Sequence, residues 1–203
     1  MADKQHRRLN FYVALAMLYA GEDKIAKAHG VFTQAFVDFP DNVEVHYEYA
    51  LFLHKLDDMA GSMREMEEVL KLDPQHARAL NYVGYTWAEE GRNLEKAKAY
   101  IEQAVAQLPK DGFVRDSLGW VYYQLGDFPA AVRELEQAVA LSPDDPTIYE
   151  HLGDAYLKNN DRARARKAYM KSLELHEEKD KKEAVRRKLE ALSPEGGQSG
   201  EAK

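Results

Sequence analysis

The 203-residue sequence contains no cysteine, which excludes disulfides, thiol catalysis and cysteine-ligated metal. It has no apolar run long enough to span a bilayer, so no direct membrane span is expected. A glycine-rich phosphate cradle is missing, as is an HExxH motif. The seven histidines are scattered; His46 and His54 share one expected helix but stand eight residues apart, too far for simple chelation. The tail segment GGQSGE has no glycine two residues after Ser199 and no strand–turn–helix around it, so it is not a nucleophile elbow. No catalytic residue, metal or cofactor is therefore expected, and the chain is read as a non-enzyme. A net charge of −7 argues against a nucleic-acid partner, which would call for a basic surface.

The charge that is present is uneven. From Lys158 to Lys188 the chain is rich in Lys and Arg, so the part before it is more acidic than the total suggests. Such a stretch is either a solvated helix face or a surface for an anionic partner. Near the start, KQHRR followed by LNFYVALAMLYA imitates the basic and apolar regions of a signal peptide, but no small-x-small cleavage site follows.

The dominant signal is internal repetition. Sliding the sequence by 34 residues places Leu118-Gly119 on Leu152-Gly153, Tyr122 on Tyr156 and Ala131 on Ala165. Val83-Gly84, Trp87 and Ala97 fill the same places one unit earlier, with one extra residue in the turn at Gly91–Asn93 and a period of 35. Fainter copies carry Tyr49-Ala50 with Leu53, and Leu15-Ala16 with Tyr19 and Ala28. Pro40, Pro74, Pro109 and Pro143 close four of the units. The repeats are drawn at 9–42, 43–76, 77–111, 112–145 and 146–179 after an N-terminal extension, 1–8. Proline ends each second helix because it lacks an N–H and clashes with the preceding turn. Asp145 before Pro146 has the form of a helix cap followed by a first-turn proline.

A Leu-Gly pair, an aromatic, Ala, a large apolar residue, Ala and then Pro is a pattern that resembles the tetratricopeptide repeat (TPR) family over residues 9–179. The resemblance implies an all-α, right-handed helical solenoid of five helix pairs. In each pair Gly119, Gly153, Ala131 and Ala165 would mark close helix approach, and Leu118, Tyr122, Leu135 and Tyr169 would fill the space between helices. Residues 180–192, with Ala184, Val185, Leu189 and Leu192 on one side, suit a polar-faced capping helix. Residues 193–203 read as a disordered tail.

The same resemblance implies that the first helices line a concave face and bind another protein there. The positions that would face the groove are Tyr47, Leu51 and His54; Arg78, Asn81, Tyr85 and Glu89; Phe113, Asp116, Trp120, Tyr123 and Gln124; and Glu150, Asp154 and Lys158. Aromatic residues at the centre have the chemistry of binding hot spots. Asp116, Glu150 and Asp154 around them point to a peptide segment or helix with an apolar anchor and basic or amide groups. Relatives that hold acidic chaperone tails carry a cationic clamp at these places, and here it is missing.

Repeats three and four also resemble the C-terminal portion of bacterial TPR proteins, many exported or lipid-anchored, some adaptors that assemble or activate a partner. The compartment stays open between cytoplasm and periplasm. Helix 9–20 is apolar nearly all round, with Phe11, Leu15 and Leu18 as candidates for self-association into a homo-oligomer. A bare first helix of this kind is also what a piece of a longer parent chain would show.

Overall fold

The computed structural model describes residues 2–192. The tail expected over 193–203 lies outside the described residues. Those residues form eleven helices and no strand. The chain divides after Val83 into two units, each described by itself below.

The first unit holds α1 (Ala2–Gly21), α2 (Ile25–Asp38), α3 (Val43–Lys55), α4 (Met59–Leu72) and the first half of α5 (Ala77–Glu89). α1 therefore takes in residues 2–8, ahead of the position where the repeat pattern starts. Its core is aromatic. Phe32 and Phe52 are fully buried 5.1 Å apart, with Tyr49 and Phe36 packed beside them. Ala16 and Ala50 are fully buried at the place where later repeats have glycine. The alanine place of the second pair is held by Ser62, whose hydroxyl donates to the Ala50 carbonyl at 2.8 Å. That bond satisfies a polar group that burial would otherwise penalise. α1 buries Leu9 and Ala16 but leaves Phe11 and Leu18 exposed (65% and 59%), with Leu15 half-buried.

The second unit holds the rest of α5, then α6 (Leu94–Gln107), α7 (Gly112–Gln124), α8 (Phe128–Leu141), α9 (Pro146–Lys158), α10 (Arg162–Leu175) and α11 (Lys179–Ala191). α7 pairs with α8, α9 with α10, and α11 packs on α10. The glycine places are close approaches. A Cβ on Gly119 would lie 2.5 Å from Leu135 Cγ, and one on Gly84 would lie 3.0 Å from the Ala97 carbonyl oxygen. Ala131, Leu135, Ala165 and Tyr169 are fully buried opposite them. Val185 of α11 and Leu192 at its C-terminal cap join this core and Leu189 is half-buried, whereas Ala184 faces solvent.

Local chemistry sets the helix ends. Asn42, Asp111 and Asp145 each accept two backbone N–H bonds at the start of a first helix. Asp58, Asp127 and Asp161 accept one each at the start of a second helix. An acceptor there satisfies otherwise orphaned amides and complements the helix dipole. Turns within the pairs use left-handed residues at Asp23, Asp57, Gly126 and Asn160. The turn with the extra residue needs two of them, Gly91 and Asn93, which accounts for the period of 35 there. Asp, Asn and Gly tolerate this conformation best.

Candidate functional site

The sequence-derived groove residues fall in both units. In the first, Tyr47 is buried against the His76 ring at 5.0 Å, and Leu51 is half-buried. Burial raises the Tyr47 pKa, which a bond from Arg78 partly offsets. His54 is exposed, with Nδ1 3.1 Å from the Tyr82 hydroxyl. Asn81 is half-buried, and its Oδ1 has no hydrogen-bond partner among the described residues.

The second unit brings more of them together. Trp120 and Tyr123, one turn apart on α7, stack at 4.8 Å with ring planes 5° from parallel. The Trp120 ring also stacks on His151 of α9 at 4.3 Å. His151 Nδ1 lies 3.0 and 3.1 Å from the two oxygens of Asp116. Both residues are buried, so Asp116 is not a free carboxylate waiting for a ligand. Burial opposes charge on His151, but the field and hydrogen bond of Asp116, helped by Asp154 and Glu89, outweigh it and raise its pKa. Tyr85 is half-buried; burial and then the Glu89 and Asp116 carboxylates push its hydroxyl pKa well up.

At the α9 end the acids are also engaged. Lys188 of α11 places Nζ 2.7 Å from Glu150 Oε1, 2.7 Å from Asp154 Oδ2 and 3.0 Å from Asp154 Oδ1. The Tyr169 hydroxyl donates to Asp154 at 2.6 Å. Burial works against the Lys188 ammonium, but its bonds to Asp154 and Glu150 more than compensate, so its pKa rises. Tyr123 faces this cluster: burial raises its pKa, Asp154 adds to that and Lys188 subtracts.

Phe113 stands apart from the aromatic stack. It is 60% exposed and lines a hollow of about 540 Å³ with Pro109, Lys110 and Ser142. Gln124 is half-buried at the end of α7.

Two residues that matter here, His151 and Lys188, are outside the sequence-derived set. The period itself carries the signal. Lys188 follows Asp154 by 34 residues, one repeat, and His151 follows Asp116 by 35. Lys188 on the capping helix α11 faces Asp154 of α9, and His151 on α9 faces Asp116 of α7, one residue beyond the 34-residue repeat there.

Among the described residues no helix is long and apolar enough to cross a membrane. Within the same residues no group of three or more His, Asp or Glu is arranged to hold a metal ion.

Comparison with known proteins gives a consistent family. A TPR repeat model matches residues 119–160, and a tetratricopeptide repeat model matches 146–179. A model of the cilia and flagella-associated protein 70 middle TPR-like domain matches residues 12–127. The TPR repeat-containing protein PA4667 of Pseudomonas aeruginosa is 27% identical over 127 residues, 63% of this chain and 22% of that protein. The chain thus spans about a fifth of the length of this curated relative. Among solved structures, MamA from Desulfovibrio magneticus RS-1 has a TM-score of 0.68 at 22% identity, covering 82% of this chain and 93% of that one. PilF of Pseudomonas aeruginosa has a TM-score of 0.71 at 18% identity, covering 95% of each. At such identities the structural likeness shows the fold, an all-α TPR solenoid of helix pairs with a terminal capping helix, and nothing finer.

Proposed function

The chain belongs to the tetratricopeptide repeat family, and on that premise we propose that it is a non-catalytic adaptor whose first helices receive a segment of a partner protein. The observation that carries this reading is the shelf formed by Trp120 and Tyr123, with Tyr85 on α5, all only half-buried. Large amphipathic rings held rigid by stacking lose little freedom on binding, and they dominate interfaces for that reason. On the first unit, taken by itself, Leu51, His54 and Asn81 are the corresponding candidates, whereas Tyr47 is buried against His76.

Affinity capture from the source cell, run with the wild-type chain and a Tyr85→Ala/Trp120→Ala variant of unchanged helix content, tests the reading. A partner held by the wild type and lost by the variant supports it. Equal capture by both removes the groove as the binding surface.

A second reading rests on a different observation. Phe11 and Leu18, two turns apart on α1, are both exposed, with Leu15 half-buried between them. In that reading the chain is a structural module that assembles through α1.

A further inference from the structure

The acids around the shelf are the feature least explained by simple partner binding. A groove with Asp116, Glu150 and Asp154 would select a basic ligand if those carboxylates were free. None is. Asp116 accepts from His151, and Glu150 and Asp154 share Lys188. Lys188 holds both carboxylates within 3.0 Å while its side chain keeps 34% exposure. It thus fills, from within the chain, the place that a ligand lysine would take. Its partner Asp154 also acts on Tyr123, the residue stacked on Trp120, so the charge cluster and the aromatic shelf are neighbours.

Resting on the groove reading above, we infer that Lys188 is a specificity-determining residue: by occupying Glu150 and Asp154 it makes this end of the groove take an uncharged, aromatic-bearing peptide segment and reject a basic one. Lys188 cancels one of the two charges and takes Glu150 Oε1 and both Asp154 oxygens, and the Tyr169 hydroxyl takes Asp154 as well, so a second ammonium finds few free acceptors and is repelled by the first. Removing Lys188 leaves Asp154 with the Tyr169 hydroxyl and Glu150 with His176 Nε2 at 3.7 Å, two partly covered acids with no lysine between them, and moves the preference toward a basic segment.

The test uses two sets of immobilised decapeptides. One is uncharged and rich in Phe, Tyr and Pro; the other is identical except for two lysines in each peptide. The wild type is expected to retain uncharged peptides, with affinity nearly constant between roughly 50 and 500 mM salt. Lys188→Met is expected to gain about tenfold for the lysine-bearing set, in a salt-sensitive way. Lys188→Arg should behave as wild type, and Lys188→Met/Glu150→Gln/Asp154→Asn should return to the uncharged preference. Those two variants separate charge from any loosening of α11.

A wild type that prefers the lysine-bearing set overturns the inference, as does a Lys188→Met variant whose ranking is unchanged. Trp120→Ala keeps the two claims apart. If it loses the peptides while Lys188→Met leaves the ranking as it was, the groove survives and the role of Lys188 falls. If it retains them, or if the wild type binds neither set, the groove reading falls with the inference.

Discussion

His151 joins two first helices and the aromatic shelf at once: its Nδ1 is 3.0 Å from Asp116 of α7, and its ring lies 4.3 Å from that of Trp120. The folded pKa of His151 lies above the ordinary imidazole value of 6.5. Its charge therefore stabilises the fold fully below about pH 6.5, and this contribution is lost as pH rises through the folded pKa. The melting temperature is expected to decline as pH rises from about 6.5 through the folded pKa, and His151→Asn should flatten the decline. Asp116→Asn should cost about 3 kcal/mol by urea denaturation, because it breaks a buried pair from one side.

Gly153→Ala tests the close approach of α9 and α10. In an open helix the change would gain about 1 kcal/mol from propensity. Here the new Cβ would lie 2.5 Å from Tyr169 Cδ1. Tyr169 is fully buried and its hydroxyl is tied to Asp154, so the ring has little room to step aside. Overpacking costs roughly 1–3 kcal/mol, and a net loss of stability is expected in chemical denaturation. A neutral or stabilised variant would show that the helices can move apart freely.

Phe11→Ser/Leu18→Ser separates the two functional readings. Both side chains are largely exposed, so the variant should keep its helix content. Under the adaptor reading, partner capture through Trp120 is unchanged. Sedimentation velocity across a concentration series gives the other half: if the wild type associates and the variant does not, α1 is the assembly surface. Association that persists in the variant removes α1 from that role.

The fold was legible because its strongest constraints repeat. Gly119, Gly153 and Gly84 recur where the helices meet, and a period of 34 or 35 is hard to read any other way. Asp145 and Pro146 announced the start of α9, and the structure shows the cap with two amide bonds. The chemistry of the site was less legible. Asp116, Glu150 and Asp154 are acidic in the sequence, but their state depends on who faces them. His151 looked like one of seven scattered histidines, and Lys188 like part of a solvated charge run. The spacing of 34 or 35 residues hints at each pair, but packing decides which side chains meet. Phe113 shows the reverse limit: it shares the expected stripe with Trp120, yet at the first turn of α7 it points to a hollow beside Pro109.

The helices of each unit pack mainly on elements one or two places away along the chain. Most contacts thus close short loops, and the entropy lost in closing them is small. Contact order is low, which places the folding of each unit among the fast, helical cases, on the microsecond to millisecond scale. The same arrangement makes amide-exchange protection graded along the chain. α11 is held on one side by Val185, Leu192 and Lys188, and it should open before the helices it covers. Each such opening would briefly uncover Glu150 and Asp154, so ligand choice and local breathing would be set by the same few contacts.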